Sequence, residues 1–237
     1  MPGFRAALDA VVMAAGEGRR LRPLTERWAK PVLPIDGRPV IATLLRELAA
    51  IGCGRVWLVT GHLAGQVERL VGEGAAFGLE VRYVRQPGPL GSADAVRRAV
   101  DAGAAVPFLV SAADTLYRRG DVGRFAEAFR AAEAAGAIAV RRDPPPGPGR
   151  KAIGIRDGLV VRIGDPDSPF AAAPLWALDG PVAERLCVDA VPYELENSFL
   201  AAMAAGERIA GIEIGATRDL TNPLDLVERN FPYLSGT

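Results

Sequence analysis

The chain has one histidine, two cysteines, no surplus of charge and no long apolar run, and each scarcity closes a class of function. A lone His62 cannot build a histidine-based metal cluster within one chain. Cys53 and Cys187 offer neither a disulfide framework nor metal-ligand spacing; they read as reduced core thiols, which suits the cytoplasm. Lys+Arg and Asp+Glu both number 28, so the whole molecule has no electrostatic case for binding nucleic acid. Any anion site has to be a local concentration of basic groups. No apolar run approaches the ~20 residues that span a bilayer, and Met1 to Arg5 leads into a strand-like segment without a signal pattern. Neither nucleic acid nor a membrane is an expected partner.

What is present is enough for a full core: 237 residues, 49% hydrophobic, expected as one domain over 1–237. Strand-like runs at Leu8–Ala15, Arg55–Thr60, Glu80–Arg85, Val106–Ser111 and Ala137–Arg141 alternate with helical repeats. Those repeats cover Val40–Ile51, Leu63–Val71, Ser92–Ala102 and Asp121–Ala135. This rhythm predicts a mainly parallel mixed sheet between two helical layers, a Rossmann-like α/β/α sandwich. Asp143-Pro-Pro-Pro-Gly-Pro-Gly149 interrupts it and suits neither helix nor central strand. Beyond it, Ala152–Arg156 and Leu159–Ile163 flank Asp157-Gly158, a hairpin signal. Strands near Ala172–Leu178 and Ile209–Ile214 follow, with helices at Glu196–Ala205 and from Pro223. No internal repeat is present.

The strongest motif runs Ala14-Ala-Gly-Glu-Gly-Arg-Arg-Leu-Arg-Pro-Leu-Thr-Glu-Arg-Trp-Ala-Lys-Pro-Val-Leu-Pro34. A buried strand delivers the chain to a loop carrying Gly16 and Gly18, where backbone N–H groups can approach a polyanion without a Cβ between. Arg19, Arg20, Arg22 and Lys30 place positive charge beside it, the combination a triphosphate needs. It is not a Walker A loop, which ends Gly-Lys-Ser/Thr, nor a dinucleotide fingerprint, where a third glycine opens a helix; here Arg22-Pro23 intervenes. Gly-x-Gly alone would be an arginine-rich surface loop; the full ordered string is what carries the reading.

Two further segments carry chemistry. Gln86-Pro-Gly-Pro-Leu-Gly-Ser-Ala-Asp-Ala95 follows the third strand: a side-chain amide both donates and accepts, Gly91 gives a base room, and Ser92 suits a helix N-cap. Asp114 ends the strand Phe108-Leu-Val-Ser, at the end where open α/β sheets bind ligands, and Asp219 follows the strand ending at Ile214. Two convergent aspartates suit Mg2+, which takes carboxylate and phosphate oxygens and keeps several waters.

The glycine string closely resembles the signature of the sugar-phosphate nucleotidyltransferases, which include glucose-1-phosphate thymidylyl- and uridylyltransferases. The resemblance covers nearly the whole chain. It implies transfer of a nucleoside monophosphate from an NTP to a phosphorylated acceptor with Mg2+ and release of pyrophosphate, 1–142 serving the NTP and 150–237 the acceptor. It implies catalytic Arg20 and Lys30, NTP contacts from Ala14, Ala15, Gly16, Glu17, Gly18, Gln86, Gly91 and Ser92, and metal ligation by Asp114 and Asp219. The base loop leans towards a pyrimidine, and self-association is left open. Arg19 stands where the family often has a small hydroxyl residue, Ala113 where glycine is common, and Leu220-Thr221-Asn222 replaces the usual residues before Pro223.

The acceptor side departs further. Gly164-Asp165-Pro166 replaces the family's Glu-Lys-Pro, so its acceptor-phosphate lysine is missing; Arg150, Lys151 or Arg162 are the candidate substitutes. Glu196-Asn197-Ser198-Phe199 partly matches the acceptor motif Glu-x-Thr-Asp, which makes Glu196 the acceptor-binding candidate. A sugar 1-phosphate is the default acceptor. A cytidylyltransferase acting on inositol or choline phosphate, a non-catalytic nucleotide sensor, and a metal-dependent glycosyltransferase using Asp165-Pro166-Asp167 remain as alternatives.

Overall fold

The computed structural model describes residues 8–142, 151–186, 188 and 191–231. Nine strands form its main sheet: β1 (Asp9–Ala14), β2 (Arg55–Thr60), β3 (Glu80–Arg85), β4 (Phe108–Ala112), β5 (Gly136–Arg142), β6 (Ile153–Arg156), β7 (Leu159–Ile163), β8 (Phe170–Leu178) and β9 (Ile209–Glu213). Their order is β3-β2-β1-β4-β8-β5-β9-β7-β6. β3, β2, β1 and β4 are mutually parallel, β8 lies antiparallel between β4 and β5, and β9 returns parallel to β5. The hairpin of β6 and β7 completes the edge through β9, so the segment after the proline run joins the same sheet.

Helices α1 (Val40–Ala50), α2 (Ala64–Val71), α3 (Ser92–Asp101), α4 (Asp121–Ala131), α5 (Leu195–Ala204) and α6 (Pro223–Asn230) accompany it. Strand β1 shows why there are three layers. Its side chains alternate between faces, and both faces are buried. Ala10 and Val12 pack with Leu44, Leu48 and Phe125 of α1 and α4; Val11 packs with Val96 of α3 and Phe199 of α5. A strand buried on both sides reads as a continuous apolar run, which is how Leu8 to Ala15 reads.

The Rossmann-like α/β sandwich expected from the alternation is the one observed. Asp157 and Gly158 both have positive φ, 52° and 76°, as a two-residue primed turn requires. The helix expected to reach Ala135 stops at Ala131 because Ala132 is extended and the Ala135 N–H is engaged by the Arg208 carbonyl at 2.9 Å. The sheet ladder begins at once after this bond, at Gly136. Cys53 is buried and its thiol is pushed up to about 12, chiefly by burial and then by Asp9, so it is inert at neutral pH. Cys187 and the Asp143–Gly149 run lie outside the described residues.

Candidate active site

Parallel strands end together, and the carboxyl edge of β1, β2, β3, β4, β5 and β9 collects the segments singled out in the sequence. After β1 the chain turns at Gly18, left-handed at φ 61°, into a short 3-10 turn over Arg19–Leu21. A Cβ on Gly18 would lie 2.9 Å from Thr25 Cγ2 and 3.4 Å from the Lys30 stem, so a side chain is excluded and Lys30 lies directly against the glycine loop. Gly16, Gly18, Arg20, Lys30 and Asp114 line one cleft of about 270 Å³ with Arg19, Leu21 and Thr221.

Lys30 Nζ is ion-paired with Asp114 Oδ2, both side chains largely shielded at 15% and 25% exposure. Arg20 is exposed and makes no ion pair among the described residues, leaving it available to an anion. Glu17 turns back on the loop, accepting from Arg19 Nε at 2.8 Å and Arg22 Nη2 at 3.5 Å, and the Arg19 guanidinium holds its carboxyl below the usual range. Ala14 is buried at the tip of β1, and the Ala15 carbonyl accepts from the His62 N–H at 3.2 Å.

The loop is braced from outside. Thr25 Oγ1 donates to the Gly18 carbonyl at 2.9 Å, and His62 Nε2 donates to the Thr25 carbonyl at 2.7 Å. Gln66 of α2 accepts from the Ala29 N–H at 2.8 Å and donates to the Arg27 carbonyl at 2.7 Å, clamping the segment that leads to Lys30 at two residues. Gln66→Ala leaves the buried Ala29 N–H unpaired. We expect a stability loss of about 1–3 kcal/mol and a several-fold fall in turnover, whereas Gln66→Glu, which keeps the acceptor, should retain most of both. Urea denaturation and initial rates check this.

Asp114 and Asp219 come together through a two-residue antiparallel ladder in which Asp219 faces Thr115 and Arg218 faces Leu116. Both carboxylates act on the buried Tyr117 phenol, whose pKa is raised by burial first and by these two acids in addition. Asp219 Oδ2 accepts from Thr217 Oγ1 at 3.1 Å, while its Oδ1 is buried with no hydrogen-bond partner. An unpartnered buried carboxylate oxygen beside a second aspartate fits a divalent cation, and the donor set, all oxygen, fits magnesium. Among the described residues no group of three or more His, Cys, Asp or Glu gathers for a metal, so a two-acid site completed by water and phosphate is the arrangement available.

At the tip of β3, two strands from β1 and so about 10 Å away at ordinary strand spacing, the base loop departs from its expected roles. Gln86 is buried, and its Nε2 donates to the Gly91 carbonyl at 2.9 Å and to Asp94 Oδ2 at 2.8 Å. Neither partner can donate in return, so the amide orientation is set and only Oε1 remains for a ligand. A Cβ on Gly91 would strike the Tyr193 backbone, so close chain packing already requires a glycine here. Ser92 is not the N-cap of α3: Gly91 occupies that position, and Ser92 Oγ donates to Glu194 Oε2 at 2.6 Å and accepts from the Leu195 N–H at 2.8 Å. It serves the start of α5 instead.

On the acceptor side Glu196 Oε2 is ion-paired with Lys151, two candidates the sequence treats separately. Lys30 and Lys151 are the only lysines in the chain. Arg162 is exposed on β7 and Arg150 lies outside the described residues. Asp165 Oδ1 caps the turn after β7 at the Asp167 N–H, 3.4 Å, and Asp167 is exposed. A turn carboxylate of this kind is not the metal motif that a glycosyltransferase would need.

Three contributors gave no motif signal: Gln66, Arg141 of β5 and Asp121 of α4. Asp121 is fully buried and its Oδ2 accepts from the Gly215 N–H at 3.0 Å, anchoring the segment that leads to Asp219. An acid at a helix start is unremarkable in sequence; only the fold shows its partner.

The family model for nucleotidyl transferases matches residues 9–149, more than half of the chain. The chain belongs to the nucleotidyl transferase family. A glucose-1-phosphate thymidylyltransferase of Streptomyces griseus is 28% identical over 97% of this chain and 67% of its own length. Another, of Streptomyces antibioticus, is 45% identical over 38% of this chain and 25% of its own. The match thus spans only a quarter of the latter relative's length. Among solved structures, the inositol-1-phosphate CTP transferase of T. maritima superposes with a TM-score of 0.80 at 20% identity, covering 94% of this chain and 93% of that one. At that identity the likeness concerns the nucleotidyltransferase fold alone. Among the described residues no helix is long and apolar enough to cross a membrane.

Proposed function

We propose that this chain transfers a nucleoside monophosphate from an NTP to a sugar 1-phosphate, forming an NDP-sugar and pyrophosphate. The observation that carries the reading is one cleft in which the glycine loop, Arg20 (without an ion pair among the described residues) and the Lys30–Asp114 pair meet. In the reaction an acceptor phosphate oxygen forms a bond to the NTP α-phosphorus while the bond from α-phosphorus to the bridging oxygen breaks and pyrophosphate leaves. The attacking phosphate is already anionic at neutral pH, so no strong general base is needed. The barrier lies in bringing two polyanions together.

The backbone N–H groups of Gly16 and Gly18 and the Arg20 guanidinium bind the triphosphate; Lys30, lying against that loop, neutralises charge as it develops on the α-phosphate. Asp114 and Asp219 would hold magnesium, which when bound supplies Lewis-acid neutralisation of phosphate oxygens. Gln86 Oε1 offers the base a single acceptor, and the lean towards a pyrimidine rests on family resemblance. The cleft opens at the ends of strands in the 1–142 part, with the Lys151–Glu196 pair on the 150–237 part, and the chain would act in the cytoplasm.

A screen of ATP, GTP, CTP, UTP and dTTP against glucose 1-phosphate, other sugar phosphates, and inositol and choline phosphates tests this. Pyrophosphate release with UTP or dTTP and a sugar 1-phosphate is expected, abolished by EDTA and restored by Mg2+. Turnover restricted to CTP with a polyol or choline phosphate would replace the acceptor. Tight NTP binding with no release across the panel would make the chain a sensor instead.

A further inference from the structure

Resting on the transferase reading, we propose that Arg141 is the cation that receives the acceptor's phosphate, in the role left open by the absent lysine. Arg141 is the penultimate residue of β5, at the carboxyl edge that also carries Asp114 and Asp219. Its side chain is only 15% exposed. A guanidinium presents five N–H donors in a planar fork. Here Nη1 donates to Thr217 Oγ1 at 2.5 Å and lies 3.8 Å from Asp219 Oδ2, close enough for charge attraction but beyond hydrogen-bond length. Nε is buried with no hydrogen-bond partner. A shielded cation with an unmatched donor is costly to a fold unless a ligand completes it.

The ligand is specified by chemistry and place. The fork geometry suits an oxyanion with two oxygens to offer, which a phosphate monoester has, and the phosphate is the anion that the reaction brings here. That phosphate has to lie beside the metal-binding acids to reach the α-phosphorus, and Arg141 is a shielded cation next to Asp219. The rival cations are otherwise engaged or exposed. Lys151 is ion-paired with Glu196 and half-exposed, Arg162 is exposed, and Lys30 is paired with Asp114 against the triphosphate loop. Thr217 orients the fork by accepting from Nη1 while donating to Asp219, so one hydroxyl aligns both the acid and the cation.

The alternative is a purely structural link, Arg141 acting only to steady Asp219. The two differ in which constant moves. With the nucleotide and sugar phosphate chosen by the wild-type screen, Arg141→Ala should raise the KM for the acceptor by on the order of 10-fold or more while leaving the KM for the NTP within about 2-fold. Arg141→Lys, which keeps charge but loses the fork, should recover part of the loss and carries the same readout if the alanine variant does not fold. Mn2+ affinity, read by electron paramagnetic resonance, should change little. An unchanged acceptor KM, or a weakened Mn2+ affinity accompanied by a fall in kcat alone, overturns the proposal. A wild type that releases no pyrophosphate sinks the transferase reading instead. In that event calorimetric binding of glucose 1-phosphate in the presence of Mg2+, kept by the wild type and lost by Arg141→Ala, still supports the site, and equal binding or none in the wild type overturns it.

Discussion

Lys30→Ala or Asp114→Asn lowers pyrophosphate release by on the order of 100-fold or more, while the protein stays folded. The two side chains form an ion pair inside the cleft, so each variant removes one half of a matched pair at the point where the α-phosphate is to be held. In the proposed reaction Lys30 supplies charge that rises in importance as the new bond forms, and such an interaction acts on kcat more than on KM. Asp114→Asn keeps the shape and removes the charge that a cation requires. Lys30 also packs its stem against Gly18, so Lys30→Met, which retains the stem, should lose activity just as fully; packing is not its main contribution. Circular dichroism would establish folding, and a rate near wild type for either substitution would remove that residue from the reaction.

Gly91→Ala should unfold the base loop's anchorage, costing about 3 kcal/mol or more. At φ 104° an L side chain is strained whatever space surrounds it, and here there is none: the added Cβ meets backbone N, C and O of Tyr193. Backbone cannot swing aside as a side-chain tip can. The same contact seats two main-chain bonds, Tyr193 N–H to the Leu90 carbonyl and Ala93 N–H to the Tyr193 carbonyl, each 2.7 Å, which join the start of α3 to the approach to α5. Gly91 also gives its carbonyl to Gln86, so the displaced loop carries the amide with it. Gly88→Ala, three residues earlier with nothing within 4 Å of the new methyl, is the matched control and should be tolerated. Urea midpoints of the two variants separate local strain from a general intolerance of the loop.

The elements were legible because periodicity and glycine report local facts. β1 shows both faces buried, the Asp157-Gly158 turn demands positive φ, and the Gly18 to Lys30 string follows directly on one strand end, so its convergence is a local matter. The boundary at Ala131 was not legible, since the signal that ended α4 is a hydrogen bond from Ala135 to Arg208, more than seventy residues away.

Polar side chains behave differently, because a sequence shows what they can bond and not what has already bonded them. Gln86 reads as a two-way partner for a base, yet Asp94 and the Gly91 carbonyl occupy its donor side. Ser92 reads as a cap for its own helix and is drawn instead to Glu194 and Leu195, a hundred residues on. Arg141 reads as one arginine among many and becomes distinctive only when the fold sets it beside Asp219.

By itself, then, the order of residues determined the alternation of strand and helix, the hairpin, and the glycine loop with its lysine, since each depends on backbone stereochemistry and apolar spacing over short stretches. Tertiary structure alone decided that Asp219 meets the segment of Asp114, that Lys151 is tied to Glu196, and that Arg141 stands shielded with an unmatched donor. The reason is that pairing, burial and charge are set by neighbours distant along the chain, which only the packed sheet brings within bonding range.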